Sequence, residues 1–473
     1  MAADRDRRMA TKGVGTLCLV LVALVALGAH EVHAALPSSS PGLSGPSGSS
    51  GPSASSGPSA SSGPSGAATP PSAVVPTGPL LDARAGHSAT LLPDGRVLLV
   101  GGTQHERHGR VRTLDSAEAW DPTPGAFSGA GTLAAVRTGH LAALLGDGSV
   151  LIVGGESNDA DVESARPTFR ADLERWDPLT ATFAPAGSLT GFDWVDSATM
   201  LHDGRVLIVG SSDRSGLGQA EVWDPATATT TPVGRFPSVG GSAVAPLADG
   251  GALIVGGCCG HEGDASAVVR FDPASGGLTP GGLAPTGLVD VVALPLADGR
   301  VLVAGRGWGG PESLAAMWDP TTGAVTTVWQ RDDRAGLLAL PDGRVLVVWA
   351  GRICGNAPSL RGPAGCPSGD ATVQTWDPAT AAFGDAGAVG QGGFWRPSPT
   401  QLSDGRVLLV ADHATVAWDP TTLTVTQGPA LPEATDETVT ALQDGRVLVA
   451  GGRAGRDGLG RSLANAAIWS APR

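Results

Sequence analysis

The sequence predicts an all-β propeller, on three observations. An Asp-Gly pair followed by an apolar run recurs at Asp94, Asp147, Asp203, Asp249, Asp298, Asp342, Asp404 and Asp444. The gaps between these pairs range from 40 to 62 residues with a mean of 50, a period that belongs to blade-type repeats. A Trp-Asp-Pro triplet recurs in step with them, at Trp120, Trp176, Trp223, Trp318, Trp376 and Trp418, with Phe271-Asp272-Pro273 as a variant and Trp469-Ser470-Ala471 as the last copy.

Each unit reads as four strands. In the first, His87 to Leu92 forms one strand, Asp94-Gly95 turns the chain, and Val97 to Val100 returns it to Gly101-Gly102. Asp-Gly between apolar runs is the signature of a hairpin, and a type I′ turn with positive φ at both central residues is the expected form. The returning strand is apolar at consecutive positions, as a strand covered on both faces must be. A third strand carries the tryptophan, whose regular recurrence predicts packing between blades rather than ligand stacking. The proline after it stops the ladder and opens a turn into a fourth strand. The last unit ends near Trp469, too early for a fourth strand, whereas Ala73 to Leu80 precedes the first complete unit. The two deficits predict that the N-terminal strand joins the last blade and closes the ring, which removes an exposed edge. Eight four-stranded blades is the expected count. Seven is the alternative, with the unit around Asp342 or Asp404 packed as an insertion.

Ahead of the repeats lie two segments of different character. Residues 1–34 read as a signal peptide: Arg5, Arg7, Arg8 and Lys12 precede the apolar run Val14 to Ala29, and Val32-His33-Ala34 suits cleavage before Ala35. An uncleaved anchor is the alternative. Residues 35–72 are rich in Ser, Gly and Pro. Their glycine triplets are broken at Ala54 and Ala60, so a flexible linker is expected and a collagen helix is not. The propeller then occupies residues 73–473. The formal net charge of −14, with lysine only at Lys12, argues against nucleic acid and anionic membrane surfaces as partners. Export to the cell surface or medium is expected, with no stable membrane insertion once the signal is removed.

The order strand, hairpin, strand, Gly-Gly, then aromatic-Asp-Pro resembles the kelch family and its relatives among galactose-oxidase-type propellers, over about Ala73 to Arg473. Several units depart from it, with Gly210-Ser211, Gly305-Arg306, Trp349-Ala350 and Ala411-Asp412 in place of Gly-Gly. Gly86-His87 and Gly139-His140 imitate a WD-repeat pair, but only in two units. The resemblance implies a fold and leaves function open. The oxidases of that family hold copper with tyrosines and histidines and build a radical cofactor from a tyrosine joined to a cysteine. This chain contains no tyrosine, which excludes that mechanism and the tyrosine-nucleophile version of sialidase chemistry.

Blade topology gathers the Asp-Gly and Trp-Asp-Pro turns on one face and the variable loops on the other, and function belongs with the variable loops. Trp194, Trp308, Trp395 and Arg396 fall in those loops and make a candidate sugar-binding set. Arg137, Phe192, Asp193 and Arg334 lie in the connections between blades. His105 and His108 beside Glu106, and His261 with Glu262 and Asp264 beside Cys258-Cys259, are the metal candidates. Neither group has a recognised ligand spacing, and no cofactor is expected. Cys354 and Cys366 bracket a long insertion and are expected to form a disulfide. Cys258 and Cys259 are open to a vicinal disulfide or two free thiols. The sequence thus predicts a non-catalytic binding module for a carbohydrate or an extracellular protein surface. A tyrosine-free sugar isomerase or hydrolase is the alternative.

Overall fold

The structure is a computed structural model that describes residues 73–106, 110–157, 168–212, 217–238, 241–257, 265–284, 287–307, 313–331, 335–349, 371–390, 399–411, 414–431, 434–454 and 460–470. These residues belong to one compact unit and contain eight four-stranded antiparallel sheets arranged as a β-propeller. Blade 1 consists of Ser88–Leu91, Val97–Val100, Ser116–Asp121 and Ala126–Thr132. Blades 2 to 7 begin with the inner strands Leu141–Leu144, Trp194–Met200, Ala243–Pro246, Leu288–Pro295, Ala335–Ala339 and Thr400–Gln401. Blade 8 takes three strands from the C-terminal end of the chain, Thr438–Ala441, Val447–Ala450 and Ala466–Ser470, and its outer strand, Ala73–Pro76, from the start of the described chain. Val74 pairs with Trp469 and Pro76 with Ala467, so the expected closure is present and the count is eight.

Because each blade is a sheet with neighbours on both sides, its apolar side chains are spent on the seams. The core is accordingly divided into eight clusters, one in each seam. The second strands carry the most buried runs, as in Val97–Val100 and Val150–Val153, which are buried at every position. The Trp-Asp-Pro tryptophans, with Phe271 and Trp469 in the same register, are at most 2 % exposed. Several donate their indole N–H to the outer strand of the preceding blade: Trp176 Nε1 to the Ala130 carbonyl at 2.8 Å, Trp223 to Ala186 at 2.7 Å, and Trp318 to Gly281 at 3.0 Å. Trp120 reaches Thr77 Oγ1 at 3.0 Å. The expected inter-blade role is what the structure shows.

The hairpin turns differ from the expected type I′. In all eight, the glycine alone has positive φ, between 83° and 87°. The chain closes over three residues rather than two: Gly95 N–H donates to the Leu92 carbonyl at 3.0 Å and Leu92 N–H to the Arg96 carbonyl at 2.8 Å, and the other seven copies repeat this pair. This is a type I turn followed by a left-handed glycine that forms a bulge. The aspartate keeps an ordinary backbone because its carboxylate turns back to the next-but-one amide, as Asp94 Oδ1 does to Arg96 N–H at 3.0 Å.

Candidate binding face

The two faces of the ring are built from different chemistry. On the turn face, the Asp-Gly-Arg arginines reach across seams to the Asp-Pro carbonyls of the next blade: Arg96 to Pro178 at 3.5 Å, Arg205 to Pro273 at 3.4 Å, and Arg300 to Pro378 at 2.6 Å. Gln443 of blade 8 crosses the seam to blade 1 to reach the carbonyl of Pro93, in the hairpin turn, at 3.1 Å. The repeated polar groups on this face are consumed by the scaffold.

On the variable-loop face, the connections into blades 1 and 2 are pinned by buried arginines. Arg84 Nη2 donates to Glu118 Oε1 at 2.6 Å and Nη1 to the Gly101 carbonyl at 2.8 Å. Arg137 repeats this with Glu174 at 2.6 Å and the Gly154 carbonyl at 3.1 Å. Arg137, which the sequence places among the variable connections, is therefore fully buried and offers no binding group at the surface. Two histidines latch neighbouring inner strands. His87 Nε2 lies 3.1 Å from Thr438 Oγ1 of blade 8, and His140 Nε2 lies 2.8 Å from Ser88 Oγ of blade 1. The glycines of the preceding blades make room for the rings: a Cβ on Gly451 would meet His87 Cε1 at 2.7 Å, and one on Gly101 would meet His140 Cε1 at 3.1 Å. Burial, with the nearby Arg137 and Arg84, holds the His140 imidazole down to about 3, and burial, Arg84 and His140 keep His87 well below its usual range. Both are neutral structural groups.

The inner rim, where the chain enters each inner strand, carries the groups not absorbed by packing. Eight residues before the Asp-Gly pair, Gly86, Gly139 and Gly241 all take positive φ, from 61° to 70°. At that register blades 5 and 8 have Asp290 at 54° and Asp436 at 60°. A left-handed backbone costs a residue with a Cβ about 1–2 kcal/mol, least for Asp and Asn. Each aspartate faces an arginine from the end of the second strand or just beyond it. Asp436 Oδ2 accepts from Arg453 Nε at 2.9 Å and Nη2 at 2.6 Å, and Arg306 Nε lies 3.7 Å from Asp290 Oδ2. His105 sits beside the Asp436–Arg453 pair. Burial and then Arg453 lower its pKa, with Asp436 pulling the other way. Ser462 fastens this corner: His105 N–H donates to Ser462 Oγ at 2.9 Å, and Ser462 N–H to the His105 carbonyl at 3.1 Å.

Trp194 opens the inner strand of blade 3, half-buried and paired with Ser211. Its neighbour Asp193 accepts from Ser212 Oγ at 2.9 Å, while Phe192 is buried in the seam with blade 2. Trp194 and His105 thus belong to blades separated by blade 2 and do not form one set. Trp308, Trp395, Arg396, Arg334, His108, His261, Cys258, Cys259, Cys354 and Cys366 lie outside the described residues. Among the described residues, no group of three His, Cys, Asp or Glu side chains is placed to hold a metal ion. Asp290 and Asp436 were not singled out from the sequence. The signal that finds them is an aspartate at a register where other blades have glycine.

No family model matches the chain, and no curated protein does. Among solved structures, a fungal alcohol oxidase with catalytic diversity among the AA5 family, in complex with copper, is similar at 17 % identity, covering 85 % of this chain and 76 % of that chain with a TM-score of 0.46.

Proposed function

We propose that this chain is an exported binding module of the kelch type, which holds a carbohydrate at the inner rim of its variable-loop face. The observation that carries this reading is the pair of rim aspartates, Asp290 and Asp436, kept in a left-handed backbone and each set against an arginine. Strain of this kind persists where the surroundings over-determine it and clusters at ligand clamps. Carboxylate and guanidinium groups held at the rim offer the acceptors and donors that sugar hydroxyls need, and Trp194 supplies an aromatic surface on the same face.

The test is a glycan array followed by calorimetry on the purified protein and on D290A/D436A. Binding of a glycan that weakens at least about tenfold in the double variant, a loss of ~1.4 kcal/mol, supports the reading. An unchanged affinity refutes the rim as the site. Conversion of a bound glycan to product over time moves the protein to the alternative, a sugar isomerase or hydrolase.

A further inference from the structure

The seam between blades 3 and 4 contains a buried acid that the binding reading does not use. Asp196 stands seven residues before its Asp-Gly pair, the register occupied by the latching His87 and His140, and it is 1 % exposed. It reaches forward across the seam: Oδ1 accepts from Gly241 N–H at 3.1 Å, and Ser242 donates through its backbone and its hydroxyl. Oδ2 is buried with no hydrogen-bond partner among the described residues. From Ser242 the hydrogen bonds continue to Ser238 Oγ at 2.9 Å and on to the Gly257 carbonyl at 3.3 Å. Gly257 lies two residues past the second strand of blade 4, Ala252–Val255, and immediately precedes Cys258 in the sequence.

We infer that Asp196 makes the seam between blades 3 and 4 proton-sensitive, closed when the carboxyl is neutral and loosened when it ionises. The neutral acid suits a site in which one oxygen has no donor, whereas a carboxylate there is a buried charge without full compensation. Burial pushes the Asp196 carboxyl up to about 6, against the opposing pull of the Ser242 and Gly241 hydrogen bonds. The influences on this carboxyl are burial and its hydrogen bonds to Gly241 and Ser242, with no charged side chain among them. The blade 4 segment from Ser238 to Ser242 contains no titratable side chain. Ionisation acts at the contact with Gly241 and Ser242, and through Ser238 it reaches the Gly257 carbonyl.

The experiment is amide hydrogen exchange on the full chain between pH 4.5 and 8, corrected for the intrinsic pH dependence of exchange and read without any ligand, so that its outcome is independent of the glycan test. Protection of residues 238–257 is expected to fall by more than about tenfold, with a ceiling near a hundredfold set by the shift of about two pKa units, and to level off above about pH 6 in the parent. It is expected to be flat in Asp196→Asn. Equal profiles in the two proteins, or a flat profile in the parent, overturn the inference. If Asp196→Asn does not fold, carboxyl titration by carbon NMR in the parent and in Ser242→Ala decides: removing a donor to the carboxylate raises the midpoint, and a carboxyl that titrates in the ordinary Asp range in both overturns the proposal.

Discussion

At the scale of single residues, what is maintained around the ring is a satisfied carboxylate rather than a fixed tripeptide. In six hairpins the aspartate is held by the arginine two positions later, as Asp94 is by Arg96 Nε at 2.8 Å. Blades 2 and 4 have Ser149 and Gly251 at that position, and there Arg175 and Arg270 from the third strand bind Asp147 and Asp249 instead. These pairs are solvent-exposed on at least one side, so Arg96→Ala should cost less than ~1 kcal/mol. Arg137→Met should cost about 3–5 kcal/mol, because it leaves Glu174 buried without its guanidinium. Urea denaturation of the two variants separates these cases, and equal losses would show that burial does not set the value of the pair. The linkage of Asp196 has a definite sign. Its pKa is raised from 3.8 to about 6 in the fold, so the associated stability is fully present below pH 3.8 and is lost as pH rises through about 6. Asp196→Asn should therefore gain up to roughly 2–3 kcal/mol relative to the parent at pH 7.5, and little at pH 4. Melting curves at the two values check it, and a gain of the same size at both would mean that the carboxyl does not titrate in this window.

At the scale of elements, the N-terminal strand does more than complete blade 8. Val74 packs in the seam between blades 7 and 8, Thr77 accepts the Trp120 indole N–H, and Leu80 is buried between blades 8 and 1. Deleting residues 73–79 should lower stability on the order of 4 kcal/mol, comparable with a large core truncation. Calorimetry would show an earlier transition, and an unchanged one would mean that the ring is held without its closing strand. The turn after each Trp-Asp-Pro also has a strained position, filled by glycine in blades 1, 4 and 5 but by Leu423 in blade 7, at φ 57°. Leu423 is exposed, so Leu423→Gly relieves the left-handed backbone and loses little packing; a gain of about 1 kcal/mol is expected in the same assay. Blade count, closure and the inter-blade tryptophans were legible in the sequence because each depends on a period or on a deficit at one end of the chain. The turn type was not, since Asp-Gly alone does not say whether Leu92 and Arg96 or the residues inside them close the hairpin. Nor was the burial of Arg137, whose partner Glu174 is 37 residues away. Asp290 and Asp436 were legible only by aligning the blades on their glycines.

At the scale of the whole molecule, the two faces have separable duties. The turn face is a belt in which blades 1 and 2, 3 and 4, and 5 and 6 are joined by arginines that cross the seams to Asp-Pro carbonyls, and blades 8 and 1 by Gln443 reaching the Pro93 carbonyl of the hairpin turn. The variable-loop face is held from beneath by Arg84, Arg137, His87 and His140, all buried, which leaves the rim pairs Asp290–Arg306 and Asp436–Arg453 as its strained polar groups. If scaffold and recognition are divided in this way, a triple variant R96A/R205A/R300A should melt earlier, by up to about 1 kcal/mol per site, and retain the parent affinity for the glycan found on the array. The rim variant D290A/D436A should melt only slightly earlier, by up to about 1 kcal/mol per site, because alanine removes a partly exposed ion pair and tolerates the left-handed backbone less well than aspartate, and should lose the glycan. Melting and calorimetric binding on the same preparations distinguish the outcomes. Parallel losses of stability and affinity in both variants would mean that the ring transmits strain from face to face and that recognition is a property of the assembled blades rather than of the rim.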